Sequence, residues 1–234
     1  MKEFRYRHEL KFLCTQLQIE LLRNQLDVLM ERDKHCLENG AYRVRSLYFD
    51  DYADSALYQK EDGVDYRRKY RIRSYPGGEE EYLHLEIKHR VKDKIRKESC
   101  MVSRSEVQQI LNDLPLEDAF EGESVLRRFE YERECSLLKP SVIVEYDRIP
   151  YVCADGNVRI TIDRNICASM QTERFLEPEI MGIPILETGH HLLEIKYDEY
   201  LPYTIKQALQ IVSLQKTAFS KYYLCRLVEK ERKC

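Results

Sequence analysis

The sequence predicts an α+β protein built on one large antiparallel β-sheet. Polar and apolar residues alternate along several short segments, and only a few stretches show helical spacing. In one alternating segment the basic residues Lys69, Arg71 and Arg73 share one face. Tyr70 and Ile72 share the other. Successive side chains of a strand point to opposite faces, so the predicted sheet has a charged side and an apolar side.

The charged faces of the predicted strands repeat one arrangement. A carboxylate and an ammonium lie two residues apart at Glu9/Lys11, Glu86/Lys88 and Glu194/Lys196. Elsewhere, Arg71 and Arg73 place two like charges side by side, which repel each other unless an anion lies beside them. The pattern favours an anion-binding surface. The alternative is that the charges lie on a solvated outer face, with a conventional apolar core behind them.

Helical spacing is limited to a few segments. Helices are predicted for Thr15–Asp33, after a capping box at Ser103/Glu106, within Glu123–Leu138, and on either side of Ser213–Thr217. The first helix places Leu22, Leu26, Leu29 and Met30 on one apolar stripe. The fourth is predicted to start with a capping box formed by Thr204 and Gln207. Helices that cover the apolar side predict an antiparallel β-barrel with a charged lumen and helices packed outside.

Composition limits the classes of function. The chain has 234 residues and lacks a Gly-, Pro- or Ser-rich linker, so one domain spanning 1–234 is predicted. A net charge of −3 argues against a general nucleic-acid binder, because such proteins carry an excess of positive charge. If the protein binds polyanions, its positive charge must be concentrated on one local surface. The eight cysteines are scattered without metal-ligand spacing. No apolar run approaches the roughly 20 residues that span a bilayer, so a cytoplasmic protein with free thiols is predicted.

A lumen that carries both signs of charge suits a phosphate polymer together with a divalent metal. Arginine binds phosphate oxygens bidentately, and lysine supplies a point charge. Carboxylates hold Mg²⁺ or Mn²⁺, which in turn contact phosphate oxygens. Phosphoryl transfer needs mainly positioning and charge neutralisation from the protein, so this composition is compatible with catalysis.

Eight segments, in order, resemble a known family. They are 7–12 (RHELKF), 46–50 (SLYFD), 69–75 (KYRIRSY), 85–88 (LEIK), 146–148 (YDR), 159–163 (RITID), 193–196 (LEIK) and 219–222 (FSKY). Together they resemble the polyphosphate polymerase domain of the vacuolar transporter chaperone (VTC) family, within the CYTH-like triphosphate tunnel metalloenzymes. The resemblance covers roughly Phe4 to Tyr223. Arg7 stands where the wider superfamily has a first glutamate, which matches the polymerase branch better than the triphosphatases.

The resemblance implies an enzyme that transfers the γ-phosphate of ATP to a growing inorganic polyphosphate chain, with Mn²⁺ or Mg²⁺ as cofactor. It implies catalytic phosphate ligands at Arg71, Arg73, Lys88, Arg159 and Lys196, further phosphate-binding residues at Lys11, Lys97, Arg148 and Lys221, and metal ligands at Glu194, Glu86 and Glu9. ATP and polyphosphate are the expected partners, with no nucleic acid. Membrane coupling is expected to come from a separate membrane protein. A hydrolase of triphosphate or polyphosphate, and a non-catalytic polyphosphate-binding module, stay open alternatives.

Overall fold

The computed structural model describes residues 8–33, 36, 40–77, 83–91, 94–116 and 124–233. The strands are β1 His8–Thr15, β2 Glu31–Arg32, β3 Tyr42–Asp50, β4 Tyr66–Ser74, β5 Leu83–Val91, β6 Lys94–Val102, β7 Lys139–Cys153, β8 Val158–Ser169, β9 Ile183–Pro184 and β10 His190–Tyr197. The helices are α1 Gln16–Leu29, α2 Ser55–Glu61, α3 Arg104–Leu111, α4 Ser124–Ser136, α5 Tyr203–Leu209 and α6 Lys221–Lys233.

The strands form one antiparallel sheet in the order β1-β10-β8-β7-β3-β4-β5-β6, with β2 beside β7 and β9 beside β8. This confirms the predicted α+β class and its antiparallel sheet. The path of the described strands has two ends, β1 and β6, where the prediction expected a closed barrel. In the part of the chain that the structure describes, no helix is long and apolar enough to cross a membrane.

The chain divides into two compact units, each assembled from several segments. Unit 1 contains the residues up to Arg43, Tyr146–Ile166 and Leu186–Ser220. Unit 2 contains Val44–Glu145, Cys167–Ile185 and the residues from Lys221 onward. The two units are described separately below.

In unit 1, helices α1 and α5 cover the apolar side of the strands. Thr15 and Gln18 form a reciprocal capping box that starts α1. Its buried residues Ile19, Leu22 and Leu26 share a core with apolar residues of β8, β10 and α5. The core members from those elements are Val158, Ile160, Ile162, Leu193, Ile195, Ile205 and Leu209.

In unit 2, helices α3 and α4 cover the apolar side of β4, β5 and β6. The predicted Ser103/Glu106 capping box is present and starts α3. Val107 and Ile110 of α3 and Phe129 of α4 are buried in the same cluster as the apolar residues of the strands. Those strand residues are Tyr70, Ile72, Leu83, Leu85, Ile87, Cys100 and Val102. Both units therefore have the predicted layering, with helices on the apolar side of the strands.

Three predictions about the helices are wrong in detail. Helix α1 ends at Leu29 and the chain enters β2, so the helix is shorter than Thr15–Asp33. Leu29 is largely exposed, and Ile19 takes its place in the buried stripe. Helix α5 begins after Pro202, which makes no side-chain cap, so the Thr204/Gln207 capping box is not its start. Glu123, at the predicted start of the third helix, lies outside the described residues.

Candidate phosphate-binding site

The charged face of unit 2 is set by the register of three neighbouring strands. Arg71 of β4 lies opposite Glu86 of β5, and Arg73 lies opposite His84. One pair further along, Lys69 lies opposite Lys88. Lys88 in turn lies opposite Lys97 of β6. Because directly opposite residues of an antiparallel pair share a face, these side chains form one continuous surface.

Glu86 is the centre of this face and is 3% exposed. The Nε of Arg71 donates to its Oε2 at 2.6 Å, and Nζ of Lys97 donates to its Oε1 at 2.8 Å. Nη1 of Arg73 lies 3.8 Å from the same Oε1. Burial raises the pKa of Glu86, but the three cations outweigh burial and hold the pKa well below its usual range. Glu86 is therefore ionised and serves as an internal counterion.

This geometry corrects one premise of the sequence analysis. Arg71 and Arg73 were predicted to need an external anion, yet Glu86 lies beside both. Their side chains are 17% and 13% exposed, so they do not lie on a fully solvated face. The OH of Tyr48 accepts a further hydrogen bond from Arg71 at 3.0 Å, which fixes the guanidinium. An incoming phosphate would find these groups already oriented.

Lys221 is the first residue of α6, which is anchored within unit 2. Tyr222 donates to the Asp50 carboxylate, and Arg226 forms an ion pair with the same carboxylate at 3.3 Å. The ring of Tyr222 also packs on Tyr48, with centroids 5.1 Å apart. The half-buried Lys221 therefore begins a helix that contacts the tyrosine next to Arg71.

The charged face of unit 1 carries both signs of charge across β1, β10 and β8. One row runs from Glu9 through Lys196 to Arg159, and the next from Lys11 through Glu194 to Thr161. Nζ of Lys196 lies 2.7 Å from Glu194 Oε1 and 3.5 Å from Glu9 Oε1. The ammonium of Lys196 therefore bridges two carboxylates, and one of them, Glu194, is 5% exposed.

Lys11 lies at the edge of this grid. Its Nζ is 3.7 Å from Glu9 Oε1 and donates to the carbonyl of Phe219 at 3.3 Å. Its backbone carbonyl accepts from Thr217, and Phe12 forms an isolated β-bridge with Lys216. The segment before Lys221 thus lies along β1 and orients the Lys11 side chain.

Two further predicted phosphate ligands of unit 1 already have carboxylate partners. Arg148 donates to both oxygens of the fully buried Asp163, at 2.7 and 2.8 Å. Burial lowers the pKa of Arg148, but Asp163 outweighs it and raises the pKa above its usual value. Arg159 is more exposed, and its Nη2 donates to Asp33 at 2.9 Å and to Tyr42 at 3.1 Å. Sequence reasoning missed both pairings, because the first depends on the register between β7 and β8 and the second joins residues 126 positions apart.

The donor set of unit 1 fits a divalent cation bound jointly with phosphate. Glu9 and Glu194 converge on one position, which the Lys196 ammonium holds in this structure. Within the described residues, no three His, Cys, Asp or Glu side chains form a metal-ligand cluster. Two carboxylates are the set with which Mg²⁺-type ions bind when substrate phosphates supply other ligands. Glu86 was also expected to be a metal ligand, but cations surround its carboxylate, unlike the paired carboxylates of Glu9 and Glu194.

Comparison with solved structures agrees with this fold. A candidate adenylate cyclase from Bacillus halodurans is 16% identical, with a TM-score of 0.56 over 93% of this chain and 94% of that chain. A candidate adenylate cyclase from Vibrio parahaemolyticus is 11% identical, with a TM-score of 0.52 over 95% and 98%. A Pyrococcus horikoshii protein is 18% identical, with a TM-score of 0.50 over 96% and 99%. These structures therefore share the fold of this chain.

The particular family follows from the sequence itself. The VTC domain profile matches residues 6–228, so the chain belongs to the VTC domain family. No curated protein matches the chain. Membership of this family supports a polyphosphate-related function of the phosphotransferase type.

Proposed function

We propose that this chain is an ATP-dependent polyphosphate polymerase, which transfers the γ-phosphate of ATP to the end of an inorganic polyphosphate chain. The observation that carries the proposal is the face of unit 2, where Arg71, Arg73 and Lys97 share one buried carboxylate. Three cations around one carboxylate leave net positive charge on this face, and phosphate oxygens are anions that would bind to it. Family membership favours a phosphate polymer as that anion.

The residues of unit 2 would bind and orient phosphate groups. Arg71 and Arg73 present planar forks that bind two phosphate oxygens each, and Lys88 and Lys97 add point charges. Since Tyr48 and Glu86 already position Arg71, little reorganisation accompanies binding.

The residues of unit 1 would combine phosphate binding with a metal. Lys11, Lys196 and Arg159 supply the positive charge, and Glu194 with Glu9 would hold Mn²⁺ or Mg²⁺. When bound, the ion neutralises charge on phosphate oxygens during transfer. Lys196 would then leave the two carboxylates and contact phosphate.

The proposal is tested by incubating the purified protein with ATP and Mn²⁺ and staining a gel for polyphosphate. Long chains are the expected product, and Arg73→Ala should abolish them. Lys139→Met is the matched control, because Lys139 is an exposed lysine of unit 2 that pairs only loosely with Asp113 at 3.2 Å. Release of phosphate without chains would indicate the hydrolase. Tight tripolyphosphate binding with neither product would indicate the binding module.

A further inference from the structure

Lys69 continues the cationic face of unit 2 beyond the residues to which the family resemblance assigns a ligand role. It lies directly opposite Lys88, which lies directly opposite Lys97. Three lysines therefore form a row across β4, β5 and β6 on the same face as Arg71. Like charges directly opposite in a sheet repel each other, so an anion bound over the row would relieve this repulsion.

Lys69 differs from the other cations of this face in its surroundings. Arg71, Arg73 and Lys97 all contact Glu86. Within the described part of the chain, Lys69 forms no salt bridge, and its Nζ lies over the ring of Tyr222 at 4.2 Å from the centroid. A cation over an aromatic face is stabilised only modestly, so this contact does not replace a carboxylate.

The charged and titratable groups around Lys69 lie on several neighbouring elements. They are Arg67 on β4, Lys88 and Arg90 on β5, Asp50 on β3, Lys60 on α2 and Tyr222 on α6. Asp50 is the single carboxylate among them, and Arg226 and the amides of Ala56 and Leu57 already bind it. Burial, followed by the neighbouring Lys88 and Arg67, lowers the pKa of Lys69 to about 7.

We propose that Lys69 contacts phosphate oxygens of the bound chain as the third lysine of the row, and that it takes up a proton when phosphate binds. This inference rests on the proposed phosphate-binding function of the same face. A phosphate over the row supplies the negative charge that Lys69 lacks in the free protein, so the charged ammonium becomes the favoured form. The ligand class is a linear inorganic polyphosphate or the triphosphate of ATP.

The experiment measures tripolyphosphate binding by calorimetry at pH 8 in two buffers of different ionisation enthalpy. About a tenth of Lys69 is protonated at that pH in the free protein, so the wild type should take up close to one more proton per site than Lys69→Met, a difference in which protons released by the ligand cancel. Lys69→Met should weaken binding about 10- to 100-fold and lose the uptake. Lys69→Arg keeps a permanent charge, so it should bind within a few-fold of wild type and still lose the uptake.

The controls separate the possible failures. Lys139→Met should match the wild type in affinity and proton uptake. A wild-type protein that binds no tripolyphosphate would overturn both the proposed function and this inference. Wild-type binding together with unchanged affinity and uptake in Lys69→Met would overturn the inference alone. If Lys69→Met does not fold, the Lys69→Arg result decides, since undiminished proton uptake in that variant contradicts the role of Lys69.

Discussion

The charged faces of the two units satisfy their charges differently. In unit 1 the cations and carboxylates are close to balanced, as in the Arg148–Asp163 pair and in Lys196, which bridges Glu194 and Glu9. In unit 2 three cations share Glu86, and Lys69 has no carboxylate contact among the described residues. A balanced grid suits a metal ion bound together with phosphate, whereas an excess of cations suits phosphate oxygens directly. Under the proposed function, unit 1 would hold the metal ion and unit 2 would bind phosphate oxygens directly.

The largest effect is expected from breaking the most buried pair of unit 1. Arg148→Met leaves the Asp163 carboxylate buried without its bidentate partner, so the free energy of unfolding should fall by about 3–5 kcal/mol. Arg159→Met removes a half-exposed pair and should cost about 0–1 kcal/mol. Urea unfolding of both variants measures the difference. If both variants lose equally little free energy of unfolding, the Asp163 carboxylate does not need Arg148 as its partner. Arg148 would then be available as a phosphate ligand.

The metal role of unit 1 is tested by Glu194→Gln. The substitution keeps the shape and removes the charge that a divalent ion needs, so Mn²⁺-dependent turnover should fall at least about 100-fold. Metal-free binding of polyphosphate should be retained or strengthened, because an anion site loses a negative charge. Glu187→Gln, at an exposed position of the same unit, is the control. Persistent turnover at saturating Mn²⁺ would rule out Glu194 as the ligand.

The phosphate role of unit 2 is tested by Arg73→Ala. Loss of one charge-assisted contact, worth about 1.5–3 kcal/mol, should weaken tripolyphosphate binding roughly 10- to 100-fold. Arg96→Ala removes an arginine from the opposite face of the same sheet, where it pairs with Glu98, and should leave the affinity unchanged. Calorimetry on folded variants measures both. Equal affinities would show that the cationic face is not the binding surface.

The smallest effect is expected at Glu86, and it tests whether Glu86 is a counterion while Glu194 is the metal ligand. Glu86→Gln removes the internal counterion, so tripolyphosphate should bind about two- to fivefold more tightly, since charge-assisted bonds to Arg71 become available to the ligand. If Glu86 is instead a metal ligand, as the family resemblance implied, the variant should lose Mn²⁺-dependent turnover as Glu194→Gln does. Turnover and calorimetry on the two variants side by side separate these roles.

The same variant makes a prediction about pH. Because the folded protein holds the pKa of Glu86 below its unfolded value, ionised Glu86 stabilises the protein above the unfolded pKa of about 4.3. That stability is lost as the pH falls toward the folded pKa. Between roughly pH 5 and pH 3, the wild type should therefore lose stability more steeply than Glu86→Gln. The midpoints of urea unfolding at each pH measure this difference. Parallel curves would contradict the assignment of Glu86 as an ionised counterion.

The sequence correctly predicted which side chains share a face. Side chains alternate along any strand, so Arg71 and Arg73 had to lie together, opposite Tyr70 and Ile72. Capping boxes are equally local, and the one at Ser103 was found as predicted. Helix α1 was predicted to reach Asp33 and instead ends at Leu29, after which the chain forms β2. That error arose because pairing of β2 with the distant strand β7, rather than local preference, decides where the helix ends.

The sequence by itself determined the alternation, and with it the existence of charged faces covered by helices on the other side. Only the tertiary structure decided which charges meet. Glu86 lies between Arg71 and Lys97, Lys69 lies opposite Lys88, and Asp163 holds Arg148. The physical reason is that the face of a side chain is set within one strand, whereas register is set by turns and by packing between strands. A shift of one residue in register would have given these same residues different partners.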